Sequence, residues 1–195
     1  MTVFAQKDFY DVEEYLAIQE RSLEKLEYYD GKIKPMSGGT FTHAELCANA
    51  IFALKLALKN ASKKYRLCTS DIKIQIEKHN QFLYPDAVVV DEKPVLYAGR
   101  NDIITNPTLI VEVLSKSTKK KDLTDKFESY KTLPSFEEYV VISQEKIEVK
   151  TFYKANDWQV SLHQNIKDTF PLMALGLNIS MEDIYGDTDL IKPST

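Results

Sequence analysis

Hydrophobic positions follow a helical period in the first third of the chain. Residues 12–25 carry apolar side chains at helical spacing with acids near the start, which predicts one or two short amphipathic helices. The turn signal Asp30-Gly31 then separates two short extended pieces. Residues 40–64 are rich in Ala and Leu at helical spacing, and they predict the longest helix.

The period changes to two further along the chain, which indicates β-strands. Ile72, Ile74 and Ile76 alternate with polar residues, a pattern typical of a half-buried strand, and a polar turn leads to a return strand over residues 82–90. The runs 87–90 and 109–111 are continuously apolar, as in strands that are covered on both faces. Three more strands are predicted at residues 138–142, 147–153 and 158–162.

These elements predict an α/β (α+β) fold with a mixed central sheet flanked by helices. Residues 93–107 are a connection rich in turn-forming residues, a loop and helix follow residue 115, and the mixed apolar tail 171–185 should pack on the body. A chain of 195 residues with 44% hydrophobic content suits one domain spanning residues 1–195.

Composition and charge narrow the classes of function. The sequence contains no apolar run of about twenty residues and no basic, apolar leader, so we expect a cytoplasmic protein with no membrane contact. Cys47 and Cys68 belong to no CxxC or Cys/His motif, and neither a disulfide nor structural zinc is expected. The formal net charge of -4 counts against binding nucleic acid mainly by neutralising its phosphates.

Two acids lie beside the most apolar strands. Asp86 opens the run at 87–90, and Glu112 ends the run at 109–111. Buried carboxylates need a partner, and two of them close together call for a cation; Mg²⁺ favours a few carboxylates plus water. The alternative is that each acid only ends a strand and faces solvent or caps a helix.

Lys126 is the third candidate. Asp122, Lys126 and Tyr130 are four residues apart in a predicted helix and therefore share one face. A cation there would orient water and stabilise the charge that develops on a phosphate. The alternative is an ordinary surface ion pair between Asp122 and Lys126.

Together these motifs closely resemble the Uma family, restriction-endonuclease-like proteins of the PD-(D/E)XK nuclease superfamily. The resemblance covers residues 27–153. Its motifs are EYYDGKIKPMSGG with the following His43, then Pro85-Asp86, PTLIVEVLS with Glu112, the set Asp122, Lys126 and Tyr130, and EYVVI.

The resemblance implies a restriction-endonuclease-like fold that binds Mg²⁺ or Mn²⁺. Asp86 and Glu112 would be the metal ligands, with the carbonyl of Val113. In the superfamily the lysine follows the acid by two residues, where this chain has Leu114, and the family takes its lysine from the next helix, where Lys126 lies.

The implied activity is hydrolysis of DNA phosphodiesters, in which Lys126 supports the nucleophile or the phosphate. Glu27 and His43 are candidate contributors to catalysis, although a lone histidine near a helix start is commonly a cap or a packed polar residue. Candidate nucleic-acid contacts are Lys116, Lys119, Lys120 and Lys121.

Cutting both strands of DNA requires two centres, so a homodimer is expected. Two other functions remain open. The first is a catalytically weak nucleic-acid-binding or assembly module on the same scaffold, and the second is a hydrolase of another phosphoester, including RNA.

Overall fold

The computed structural model describes residues 7–36, 38–114 and 122–191 and contains two mixed sheets and a hairpin. Among these residues the helices are α1 (Val12–Arg21), α2 (Phe41–Leu58), α3 (Phe127–Tyr130) and α4 (Met181–Tyr185), and a π-helical turn, Asp122–Lys126, directly precedes α3. The strands are β1 (Leu26–Tyr29), β2 (Lys32–Pro35), β3 (Tyr65–Thr69), β4 (Lys73–Ile76), β5 (Gln81–Leu83), β6 (Ala87–Asp91), β7 (Ile103–Ile104), β8 (Leu109–Leu114), β9 (Glu138–Ser143), β10 (Val149–Tyr153), β11 (Val160–His163), β12 (Thr169–Leu172) and β13 (Leu177–Ser180).

The larger sheet has six strands in the order β11-β10-β9-β8-β6-β3. Its centre is mixed, because β8 pairs with β9 in parallel and with β6 antiparallel. The smaller sheet has the order β2-β1-β5-β4-β7, and β12 pairs with β13 in a separate hairpin. Mixed sheets flanked by helices confirm the predicted fold class.

Both faces of the central strands β6, β8 and β9 are buried, as their continuously apolar sequences predict. One face, which includes Val111 and Val140, packs in a cluster with Leu46 and Ala50 of α2. The other face packs with α3 and with residues of the smaller sheet, in the cluster that contains Ile74, Ile110, Phe127 and Val141 among others. Strand β8 therefore lies at the centre of the molecule.

Helix α2 begins at the Thr40 cap, whose side chain accepts a hydrogen bond from the backbone of His43. Its 18 residues, with a mean hydropathy of 1.2, also meet the length and composition of a membrane-spanning helix. Leu46, Ala50 and Leu54 are buried in the cluster with the larger sheet, so one face of α2 packs on that sheet.

The prediction of one return strand over residues 82–90 is wrong. Strand β5 pairs in the smaller sheet and β6 in the larger one, and Tyr84-Pro85-Asp86 carries the chain between them. Pro85 has no backbone N–H and cannot donate a hydrogen bond to a neighbouring strand. It therefore fits the point where the chain leaves one sheet and enters the other. The crossover places Asp86 where the two sheets meet.

Four further elements were not predicted individually from the sequence. The connection 93–107 contains the short strand β7, and the tail forms β12, β13 and α4. Ile179 and Tyr185 of this tail lie in the core with α2, which agrees with the expectation that the tail packs on the body.

Candidate functional site

A buried lysine joins carboxylates from both sheets. Lys126 Nζ lies 3.1 Å from Glu27 Oε1 of β1 and 3.3 Å from Glu112 Oε1 of β8. The exposed fractions of the three residues are 6%, 4% and 4%, so the ion pairs are shielded from solvent. The Lys126 ammonium also contacts the backbone carbonyl of Tyr84, at 3.5 Å.

Tyrosine hydroxyls fix both carboxylates. Tyr29 donates to Glu27 Oε2 at 2.6 Å, and Tyr130 donates to Glu112 Oε1 at 3.2 Å. Burial, followed by the charge of Glu27, raises the pKa of the Tyr29 phenol, so Tyr29 stays a neutral donor at neutral pH. These contacts orient the acids on rigid strands.

Lys126 is 6% exposed, so it does not lie on a solvated surface as the alternative interpretation required. Lys126 is the last residue of the π-helical turn and directly precedes α3. Its neighbours Phe127 and Tyr130 are buried as well, and they anchor this helix on the larger sheet. The sequence spacing correctly placed Lys126 and Tyr130 together, since both contact Glu112.

Asp86 lies at the crossover between the sheets. Its Oδ2 accepts a 2.7 Å hydrogen bond from the backbone N–H of Val113, and its Oδ1 lies 3.4 Å from Nε2 of His43. Ala87 of β6 pairs with Val111 of β8, and the two strands are antiparallel. Asp86, which precedes Ala87, therefore faces Glu112, which follows Val111. Glu112 does not end its strand as predicted, because β8 continues to Leu114.

Cys47 is a member of this site that the sequence analysis missed. Its thiol lies 3.5 Å from His43 Nε2, and the donor atoms of His43, Cys47 and Asp86 all lie within 4.8 Å of one another. Burial raises the pKa of the thiol, as do the charges of Asp86 and then Glu112. The overlooked signal is the four-residue spacing of His43 and Cys47, which places both on one helix face.

The donor chemistry fits a divalent ion. Asp86 and Glu112 supply hard carboxylate oxygens from facing positions of neighbouring strands, and the Asp86 side chain retains 13% exposure, which leaves a route to solvent. The hydrogen bond from Val113 N–H orients Asp86, as outer-shell donors orient metal-binding carboxylates. The predicted role of the Val113 carbonyl as a ligand stays a prediction.

The proposed nucleic-acid contacts cannot be placed beside this site. Lys116, Lys119, Lys120 and Lys121 lie outside the described residues. Leu114 ends β8 just before them, and the π-helical turn that carries Lys126 begins just after them. In sequence they therefore lie between Glu112 and Lys126.

Comparison with protein families gives one match over most of the chain. The family model Uma2, described as "Putative restriction endonuclease", matches residues 12–182. The match includes Glu27, His43, Asp86, Glu112 and Lys126.

Two curated proteins of Synechocystis sp. are similar to the chain, and both are called uncharacterized. One, sll1609, is 33% identical over 159 residues, which is 82% of this chain and 89% of that protein. The other, slr1290, is 32% identical over 179 residues, which is 89% of this chain and 90% of that protein.

A solved structure shares the fold. It is a crystal structure described as a putative nuclease belonging to DUF820 from Anabaena variabilis, with a TM-score of 0.70 and 15% sequence identity. The similarity covers 89% of this chain and 96% of that one.

Proposed function

The chain belongs to the Uma2 family of restriction-endonuclease-like proteins, and from this premise we propose that it is a metal-dependent endonuclease that hydrolyses phosphodiester bonds of DNA. The observation that carries the proposal is the buried contact of Lys126 with Glu27 and Glu112, close to the crossover residue Asp86. A lysine among carboxylates at the meeting of two sheets is suited to phosphate chemistry.

We assign Asp86 and Glu112 as the ligands of Mg²⁺ or Mn²⁺, helped by the carbonyl of Val113. A bound divalent ion would lower the pKa of a coordinated water and offset the charge of the scissile phosphate. Asp86 and Glu112 are held in orientation by Val113 N–H and by Tyr130, so the carboxylates are arranged before an ion binds.

Lys126 supports the attacking water or the phosphate. Contacts to Glu27, Glu112 and Tyr84 hold its ammonium in place, and its positive charge can stabilise a nearby phosphate. Glu27 acts on the reaction through Lys126, so it is a positioning residue. His43 contacts Asp86, which makes it a second positioning residue rather than a catalyst in this scheme.

The proposed substrate is DNA, and the proposed assembly is a homodimer in which each protomer cuts one strand. The formal net charge is -4, so the basic residues that hold phosphate must be local. Lys116, Lys119, Lys120 and Lys121 fill this role because in sequence they lie directly before the turn that carries Lys126.

Plasmid cleavage with isosteric variants tests the proposal. Supercoiled DNA is incubated with the wild type and with Glu112→Gln or Asp86→Asn, in Mg²⁺ or Mn²⁺ and after chelation. We expect cleavage by the wild type that chelation stops, and a loss of at least about 100-fold in either variant, the scale on which removal of one charge-stabilising group acts.

The matched control is Glu128→Gln, which removes an exposed carboxylate of α3 that pairs only with Lys131 among the described residues. This variant should cleave like the wild type. Cleavage that persists in both site variants, or that chelation does not affect, would show that the assignment is wrong.

The second candidate function is a binding or assembly module on the same scaffold, and the acidic pI of about 5.5 favours it. Calorimetric titration with Mg²⁺ and with duplex DNA separates the two functions. An endonuclease binds the ion through Asp86 and Glu112, whereas a module without a metal centre gives no heat with Mg²⁺.

A further inference from the structure

His43, Cys47 and Asp86 form a compact set of three chemically different donors. His43 and Cys47 project from consecutive turns of α2, and Asp86 faces them from the start of β6. Each offers an atom that binds metals: an imidazole nitrogen, a thiol sulfur and a carboxylate oxygen. The set is thus softer than a pure carboxylate site.

Two of the three distances between these donors match those of ligands on one tetrahedral ion, and Cys47 Sγ lies within 4.8 Å of an Asp86 oxygen. Bonds of about 2.3 Å from zinc to sulfur and about 2.0–2.1 Å from zinc to nitrogen place the sulfur and the nitrogen about 3.5 Å apart. The structure has 3.5 Å between Cys47 Sγ and His43 Nε2. With a bond of about 2.1 Å to oxygen, the nitrogen and oxygen are about 3.4 Å apart, and His43 Nε2 lies 3.4 Å from Asp86 Oδ1.

We propose that His43, Cys47 and Asp86 bind a borderline-soft divalent transition metal of the Zn²⁺ class, with water in the fourth position. A thiolate and a carboxylate together balance the charge of the ion. The side chains of His43 and Asp86 are 22% and 13% exposed, so the ion can enter from solvent. Asp86 Oδ2 accepts from Val113 N–H, which fixes the carboxylate and leaves Oδ1 directed at His43.

Metal binding must change the protonation state of Cys47. A cysteine thiol ordinarily carries its proton at neutral pH, so Cys47 must lose one to bind a metal ion. The metal binds sulfur only as the thiolate, and the S–H proton passes to the buffer when the S–metal bond forms. Each bound ion therefore releases about one proton at neutral pH.

Binding of Zn²⁺ would also control the proposed nuclease, a consequence that rests on the proposed function. Asp86 is shared, because it is also assigned as a ligand of Mg²⁺. An ion held by His43 and Cys47 draws Asp86 Oδ1 away from the carboxylate pair with Glu112. Zn²⁺ and Mg²⁺ then compete, and Zn²⁺ inhibits cleavage.

Cobalt spectroscopy tests the site without any DNA. Co²⁺ is titrated into the reduced wild type, and the near-ultraviolet charge-transfer band of a sulfur–cobalt bond is recorded together with proton release. The variants are Cys47→Ser and, as matched control, Cys68→Ser, which changes the other cysteine of the chain, on β3. Zn²⁺ affinity follows from displacement of Co²⁺.

We expect the band in the wild type and in Cys68→Ser, and its loss in Cys47→Ser. Zn²⁺ affinity should fall by more than about 100-fold in Cys47→Ser, because loss of even an outer-shell partner costs about 10–100-fold. His43→Ala should weaken Zn²⁺ binding by more than about 10-fold while the sulfur–cobalt band persists at saturating Co²⁺. Circular dichroism checks that each variant is folded.

The absence of the band in the wild type, its persistence in Cys47→Ser, or its loss in Cys68→Ser would overturn the proposal. The contacts of His43 with Cys47 and with Asp86 would then be ordinary polar contacts of an imidazole with a thiol and a carboxylate. The inhibition is tested separately: the Zn²⁺ concentration that halves Mg²⁺-dependent cleavage should rise more than about 10-fold in Cys47→Ser, following its lower affinity. A protein without nuclease activity would still show the cobalt band, so failure of the two proposals can be told apart.

Discussion

Lys126 Nζ lies 3.3 Å from Glu112 Oε1, and both side chains are buried between the two sheets. Ions removed from water are stabilised only by close partners, and Lys126 has a second one in Glu27, at 3.1 Å. The ion pairs of Lys126 with Glu27 and Glu112 therefore stabilise the packing of α3, in addition to their role in the proposed chemistry.

Replacement of Lys126 should destabilise the protein. Lys126→Met leaves Glu27 and Glu112 without the ammonium, and breaking a buried pair from one side costs about 3–5 kcal/mol. Urea denaturation at pH 7 measures the free energy of unfolding of the variant and of the wild type. The difference between the two proteins should become smaller in acid, because the carboxylates are then protonated. The control Lys131→Met, which removes an outer lysine that pairs with Glu128, should change stability by less than about 1 kcal/mol. Equal stability of Lys126→Met and the wild type would contradict the buried ion pairs.

The Tyr130 hydroxyl should matter more to metal binding than to folding. It donates to Glu112 Oε1 from a fully buried position. We expect Tyr130→Phe to lose about 1 kcal/mol of stability and about 10-fold in Mn²⁺ affinity, because the carboxylate loses an orienting donor. Calorimetric titration with Mn²⁺ measures the affinity, and Tyr153→Phe on β10, two strands from β8, is the control. Unchanged affinity in Tyr130→Phe would argue that Glu112 does not hold the ion.

The apolar pattern predicted the larger sheet well, because strands buried on both faces are continuously hydrophobic. The pattern could not show that residues 82–90 divide between two sheets, since β5 and β6 are equally apolar and only their pairing partners differ. The break follows from Pro85 and from Asp86, whose carboxylate accepts the N–H of Val113.

Part of the candidate site could be predicted from the sequence. Asp86 and Glu112 are notable as acids beside buried strands, the helical spacing indicated Lys126, and the resemblance supplied Glu27. Cys47 was missed, because its partner Asp86 is 39 residues away in the chain and only the fold brings it to α2. The inward orientation of Lys126 likewise depends on tertiary packing.

A second buried lysine should be purely structural. Lys73 is 3% exposed and lies 2.6 Å from Asp102, which also binds Arg100. Asp102→Asn should cost about 3 kcal/mol of stability, because the buried ammonium loses its charged partner. Mn²⁺ affinity, measured on the folded variant, should equal that of the wild type. A large loss of affinity would show that this cluster is coupled to the metal site.

Glu138 gives the protein a pH-dependent stability that is separate from the site. Burial raises the pKa of its carboxyl from 4.5 to about 7, although backbone N–H groups of Ala174 and Met173 lower it in part. The folded state therefore binds the proton more tightly than the unfolded state. Its contribution to stability is largest below pH 4.5 and is lost as pH rises to about 7.

Glu138→Gln removes this titration. Relative to the variant, the wild type should lose on the order of 3 kcal/mol of unfolding free energy between pH 4.5 and pH 7.5. Urea denaturation of both proteins across this range gives the difference. Parallel pH profiles would show that Glu138 ionises normally in the folded protein.

The most direct measurement is a crystal structure of the protein soaked in Mn²⁺, with anomalous scattering used to locate the ion. The account predicts an anomalous peak bonded to carboxylate oxygens of both Asp86 and Glu112, with the Lys126 ammonium nearby. A well-ordered site with no peak there, or with Mn²⁺ only on exposed acids such as Asp71, would contradict it.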